Sequence, residues 1–138
     1  VNNWDNKYIG SARVRYAIEH SMNVCAVRTL TETVGLEKGY KYLENFGFTT
    51  LVNNDPNYPG MSDIAQATAL GGITRGVYNI EMTAAYAAIA NSGIYTEPLL
   101  YTEILDHDGN VLIDNSKTYN TSCFKRIDSI SLTSAMQD

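Results

Sequence analysis

Apolar positions recur at helical spacing through the first third of the chain. Val14, Ala17 and Ile18 fall at the i, i+3, i+4 spacing of one buried helical face, and Ser11 stands before them where an N-cap belongs. This predicts a short helix from about Ala12 to His20. Val24, Val27, Leu30 and Val34 repeat the period with a shifted start, and Gly35 follows as a C-terminal stop. Two helices are therefore expected to meet around Ser21-Met22-Asn23. Leu36 to Phe46 reads as a third helix closed by Gly47, although Gly39 is a poor helix former. The polar run Asn53 to Gly60 has loop chemistry. Asn79 is a candidate N-cap with Glu81 in the first turn, and the segment to Ala90 is apolar on every side, which predicts a central, buried helix ended by Gly93. Leu99 to Leu105 and Val111 to Ile113 flank Asp106-His107-Asp108-Gly109-Asn110, a hairpin signal. A polar connector leads to a last helical pattern, Asp128 to Met136, with Asp128 or Ser129 as its cap. The opening, Val1 to Gly10, is polar and turn-rich. The expected fold is mainly α with a small β-hairpin, an α+β unit.

Composition narrows the function classes. The chain has 138 residues, enough for one domain or part of one, and it starts at Val1 and stops inside a helical pattern, which reads as a piece of something longer. Ten Lys and Arg against fifteen Asp and Glu leave a net charge of −5, and the scattered cations offer no track for phosphates, so nucleic acid is not an expected partner. The longest apolar run, Ala84 to Ala90, is seven residues, against roughly 18 for a bilayer crossing. With no signal peptide or basic amphipathic segment, no membrane contact by this segment is expected. Cys25 and Cys123, 98 positions apart, have no Cys or His at ligand spacing and indicate neither a zinc site nor a disulfide framework. No cofactor is implied.

Several short patterns carry candidate chemistry. Ser21-Met22-Asn23 spells S-x-N, a string that nine Ser and thirteen Asn would produce by chance roughly 0.8 times. Its position matters more. Residues two apart on a continuous helix point to different sides, whereas at a break both can face one cleft; the plainer alternative is that Ser21 or Asn23 caps the second helix. Asp106 to Asn110 clusters metal-type ligands, but as a calcium loop its Gly comes two positions early and its twelfth residue is Lys117, so a solvated hairpin turn is expected. Gly71-Gly72-Ile73-Thr74-Arg75-Gly76 fits no phosphate-binding pattern and points to close backbone packing. His20 beside Ser21 resembles a base next to a nucleophile, but neighbours on a helix diverge and no third member is identifiable. Cys25, in an apolar helix, reads as core.

Two longer stretches resemble the transpeptidase domain of class A, bifunctional penicillin-binding proteins. Tyr8-Ile9-Gly10-Ser11-Ala12-Arg13-Val14-Arg15-Tyr16-Ala17-Ile18-Glu19-His20-Ser21-Met22-Asn23-Val24 is similar to that family's Y-x-G-x-v-x-v-R-x-A-L-x-x-S-x-N-v segment. Ala69-Leu70-Gly71-Gly72, Gly76-Val77, Glu81-Met82, Ala84-Ala85-Tyr86-Ala87, Ala90-Asn91-Ser92-Gly93, Pro98 and Asp108-Gly109-Asn110-Val111-Leu112 follow its later landmarks in order and spacing. The family's signature has three parts: S-x-x-K, S-x-N and K-T-G. Ser122-Cys123-Phe124-Lys125 spells the first, but downstream of S-x-N where the family has it upstream, and reads as coincidence. Lys117-Thr118-Tyr119, the string nearest to K-T-G, lacks the glycine.

The resemblance implies residues 1–138 as a single, partial transpeptidase unit, the helical lobe of the penicillin-binding/β-lactamase-like fold, with the two missing motifs outside the chain. It implies a serine acyl-enzyme that cross-links peptidoglycan stem peptides ending in D-Ala-D-Ala and is acylated by β-lactams. Ser21 and Asn23 would be its catalytic residues here, completed by the rest of the transpeptidase domain. The implied location is the extracytoplasmic face of a bacterial membrane, anchored by a segment outside this chain. A relative that keeps the helices as a binding or scaffold module without the chemistry is the alternative.

Overall fold

A computed structural model describes residues 1–117 and 119–137, without the Ile127 side chain. Thr118, the middle of the Lys117-Thr118-Tyr119 string, and Asp138 lie outside the described residues. The elements run α1 (Val14–Glu19), α2 (Asn23–Arg28), a π-helical turn (Thr29–Val34), α3 (Leu36–Asn45), a 3-10 turn (Gln66–Leu70) and α4 (Asn79–Ala90). Four short strands follow, β1 (Ile94–Thr96), β2 (Glu103–Leu105), β3 (Val111–Asp114) and β4 (Asn120–Ser122), and then α5 (Arg126–Ala135). The α+β expectation holds, with helix far outweighing strand.

Several boundaries differ from expectation. Helix α1 begins at Val14 with Arg13 at its cap, so Ser11 caps nothing. The second helical stretch keeps its stop at Gly35 but widens after Arg28 into the π-helical turn, where Gly35 N–H donates to Leu30 O at 2.8 Å and Thr31 Oγ1 bonds back to Val27 O. Gly39 faces that turn: a Cβ there would meet the tip of the Leu30 side chain, which would have to shift. Asn79 is the first helical residue of α4 rather than its cap, and α5 starts at Arg126, ahead of both Asp128 and Ser129.

Helix α4 corrects a larger expectation. Glu81, Ala84, Ala85 and Ala88 form its buried face, but Ile80 and Tyr86 are 45% and 55% exposed. An all-round apolar helix is thus covered on one side only by the described residues. The hairpin is present as β2 paired with β3, antiparallel, with an irregularity between Ile104 and Leu105. The polar connector holds an unexpected second ribbon: β4 returns to pair with β1, matching Ile94 with Ser122 and Thr96 with Asn120.

Polar nodes do much of the fastening. Among the described residues the buried apolar side chains are small or few, Val27, Val52, Ala84, Ala85, Ala88 and Cys123, while Asn3, Thr50, Asp63, Glu81 and Ser129 are buried with them. Each buried polar group has hydrogen-bonding partners, as burial requires. Glu81 accepts from Thr49 N–H at 3.2 Å, from the Thr49 hydroxyl and from Tyr78 N–H at 3.4 Å, tying the start of α4 to the end of the α3 segment. Ser129 donates to Ile89 O and holds α5 on α4. Arg15 reaches from α1 to the last turn of α5, donating to Ser134 O at 2.7 Å and Ser134 Oγ at 3.0 Å, where a cation suits the helix C-terminus. No helix among the described residues is long and apolar enough to cross a membrane.

Candidate active site

The chain breaks between α1 and α2 in a Schellman turn. Met22 N–H donates to Ala17 O at 3.0 Å and Ser21 N–H to Ile18 O at 3.1 Å, which satisfies carbonyls that α1 would leave open. The residue at the pivot of such a turn takes a left-handed conformation, normally a glycine's. Here it is Ser21, at φ +46°. A side chain in that region costs about 1–2 kcal/mol, and such strain concentrates at functional positions. At this turn Ser21, Met22 and Asn23 all line one cleft.

That cleft has a volume of about 760 Å³ and is walled by Val14, Ala17 and Ile18 of α1, Cys25 and Ala26 of α2, Leu30 and Val34 of the π-helical turn, Leu43 of α3, and Thr68 and Ala69 of the 3-10 turn. Most of the lining is apolar; Ser21 and Asn23 place a hydroxyl and a carboxamide on it. Ser21 is exposed, and its hydroxyl has no hydrogen-bond partner among the described residues. Asn23 donates through Nδ2 to Asn2 O at 3.1 Å. Since a carbonyl oxygen can only accept, this bond fixes which end of the carboxamide is which: Oδ1 and one N–H stay available. At the cleft's other end Arg28 grips Glu32 with three hydrogen bonds of 2.8 to 3.0 Å, and the bond from Arg28 holds the Glu32 carboxyl below its ordinary pKa.

The other sequence candidates separate cleanly. Cys25 is half-buried on the cleft wall rather than in a sealed core, and both cysteines are free. His20 turns away from the cleft, stacked on Tyr16 at 3.8 Å with Nδ1 donating to Tyr16 O at 3.0 Å. Asp106 accepts from Asp108 N–H, Asn110 N–H and Asn110 Nδ2 within its own turn, a self-satisfied hairpin loop. Gly71-Gly72 is a close contact, since a Cβ at Gly72 would lie 2.8 Å from Ala67 Cβ. Ser122 ends strand β4 and Lys125 precedes α5. The pair thus lacks the shared helical face that brings residues three apart together. Asn2 and Asn3, in the stretch read only as a turn-rich opening, meet the start of α2: Asn3 Oδ1 accepts from Val24 N–H at 3.2 Å.

The whole chain, residues 1–138, matches the family described as the penicillin binding protein transpeptidase domain. It belongs to the penicillin-binding protein transpeptidase family. Penicillin-binding protein 1A of Clostridium novyi is 40% identical over 124 residues, covering 86% of this chain and 13% of that protein. Penicillin-binding protein 4 of Bacillus subtilis is 36% identical over 110 residues, 80% of this chain and 16% of that protein. The chain therefore spans a small part of the length of these relatives. Its fold matches the D,D-transpeptidase domain of a peptidoglycan glycosyltransferase from Eggerthella lenta, with a TM-score of 0.70 and 21% identity over 98% of this chain and 38% of that one. It also matches penicillin-binding protein A of M. tuberculosis, solved as an imipenem acyl-enzyme, with a TM-score of 0.69 and 19% identity over 99% of this chain and 34% of that one.

Proposed function

We propose that this chain is the central part of a serine-type D,D-transpeptidase domain and supplies Ser21 and Asn23 to an active site completed by residues elsewhere in the full protein. The observation that carries the reading is the left-handed Ser21 at the interhelical break, which turns a serine hydroxyl and an asparagine carboxamide into one cleft. An acylation can use both. The attacking serine, on another segment, adds its Oγ to the penultimate D-Ala carbonyl of a stem peptide. The amide C–N bond breaks, terminal D-Ala leaves with a proton, and the acyl group passes to an amine on a neighbouring strand.

A hydroxyl donates and accepts at once, so Ser21 suits relay of that proton between a lysine and the leaving amine, a role worth roughly 10² to 10⁴ in rate. Asn23 offers Oδ1 to the lysine's ammonium and its remaining N–H to the substrate's carbonyl, fixing both without adding charge near a carboxylate-bearing substrate. A β-lactam enters the same way and stays as the acyl adduct. The substrate places the site on the extracytoplasmic face of the bacterial membrane.

The test compares the isolated chain with the complete protein. Mass spectrometry after incubation with a labelled penicillin should find no adduct on residues 1–138 alone and one adduct on the complete protein, at a serine of another segment. Asn23→Ala in the complete protein should slow acylation about 10²-fold or more. An adduct on any serine of this chain, or a complete protein that acylates nowhere, as the scaffold reading expects, overturns the proposal.

A further inference from the structure

We infer that Asn3 is a positioning residue for the site, holding the Asn23 carboxamide in its working orientation from behind the cleft. This rests on the reading of Asn23 as a member of the active site. Asn3 is 6% exposed and does not line the cleft. Its carboxamide is used at both ends: Oδ1 accepts from Val24 N–H at 3.2 Å, and Nδ2 donates to Lys7 O at 2.7 Å. Asn23 answers in the opposite direction, its Nδ2 donating at 3.1 Å to Asn2 O, the carbonyl of the peptide unit that joins Asn2 to Asn3. Two segments 21 positions apart are thus clasped reciprocally, each sending a side chain to the other's backbone.

The clasp does two things to the site. It satisfies a first-turn N–H of α2, which has no cap from its own preceding residue Met22, and so fixes where the helix and its first residue Asn23 begin. It also holds the Asn2 carbonyl where only the NH2 end of Asn23 can meet it, leaving Oδ1 of this cleft-lining residue free of that bond. The brace is itself stiff. Asn6 N–H donates to Asn3 O at 3.0 Å, Lys7 N–H to Asp5 Oδ1 at 3.0 Å, and Asn2 is held by Asn6 and by the Tyr8 hydroxyl. With the clasp opened, a half-turn of the Asn23 amide would present donors to the lysine, a repulsive contact.

The measurement is the second-order rate of acylation by a fluorescent penicillin in the complete protein, beside its thermal unfolding midpoint. Asn3→Ala should slow acylation about 10- to 100-fold. Asn3→Asp keeps the acceptor for Val24 N–H but loses the donor to Lys7 O; it should fold and be slowed by a smaller factor, and it carries the test if Asn3→Ala does not fold. The readout that separates positioning from general stability is coupling. On top of Asn23→Ala, either substitution should cost less than about twofold more, since the group it orients is gone. Wild-type rates in both Asn3 variants while Asn23→Ala is slow overturn this inference alone, as does a full, additive loss in the Asn23→Ala background. An Asn23→Ala enzyme at wild-type rate overturns the parent reading and this one with it.

Discussion

Ser21→Gly in the complete protein should acylate about 10² to 10⁴ times more slowly with penicillin while unfolding at the same temperature as wild type or higher. The two halves of that result have separate causes. Glycine takes a left-handed backbone at no steric cost, so the substitution releases the roughly 1–2 kcal/mol that a Cβ pays at φ +46°, offset by up to about 1 kcal/mol of extra chain entropy in the unfolded state. The Schellman bonds through the Ser21 and Met22 amides are unaffected. What is lost is the hydroxyl that faces the cleft. Ser21→Ala is the partner experiment: it keeps the strain and removes the same hydroxyl, so its rate should fall equally and its midpoint should lie at or below that of Ser21→Gly. Stopped-flow acylation with calorimetry reads both. Rates within about threefold of wild type in both variants would take the hydroxyl out of the proton path, and a Ser21→Gly protein less stable than Ser21→Ala would refute the strain argument.

The break that sets up this site could be read from the residues because it is a discontinuity in periodicity: Val14, Ala17 and Ile18 belong to one face, and Val24, Val27 and Leu30 to another. Such a pattern locates a corner but not its handedness, so the positive φ of Ser21 was not foreseeable from spacing. The same limit hid the π-helical turn, since Val27, Leu30 and Val34 are spaced as one face of an ordinary α-helix and the extra residue in the turn leaves no mark in their pattern. The β1 and β4 ribbon was illegible for another reason. Asn120, Thr121 and Ser122 have no apolar alternation, and their partners lie far back in the chain, so only tertiary pairing makes them a strand. Asn3 shows the limit at its sharpest. Its partners are the Val24 N–H and the Lys7 carbonyl, backbone groups every such residue carries, and no pattern of side chains marks which asparagine of thirteen will find them. In α4 composition misled, because an apolar helix is buried only where something packs on it, and Ile80 and Tyr86 are open among the described residues.

The part of the cleft wall formed by the 3-10 turn depends on a buried aspartate, Asp63, and removing it should destabilise the fold strongly. Asp63 is 2% exposed; Oδ2 accepts from Val52 N–H at 2.7 Å, and Oδ1 from Thr74 N–H at 2.8 Å and Thr74 Oγ1 at 2.7 Å. Its own carbonyl receives Thr68 Oγ1 at 2.6 Å, which places the 3-10 turn whose Thr68 and Ala69 line the cleft. Asp63→Ala leaves three donors without their acceptor, at about 1–3 kcal/mol for each that stays dry, so a loss of about 3 kcal/mol or more is expected in urea unfolding. Asp63→Asn keeps the shape but turns an NH2 toward a donor and should lose less. Acid provides the sharper test. Burial pushes the Asp63 carboxyl up, but the Thr74 hydroxyl and the Val52 and Thr74 amides together outweigh it, and the net shift is downward. A folded-state pKa below the unfolded value of about 4 means the charge stabilises the fold fully above that value, and this contribution fades as pH falls through the folded pKa. The half-buried Asp106 and the exposed Asp114 are also shifted down, the first held by the Asn110 side chain and the second by Ser116, so the acid response of wild type sums all three. The difference between wild type and Asp63→Asn isolates Asp63: it should be constant from neutral pH down to about 4 and shrink below. A difference that persists unchanged to the lowest pH at which the protein folds, or an Asp63→Ala variant as stable as wild type, would show that this carboxylate fastens nothing.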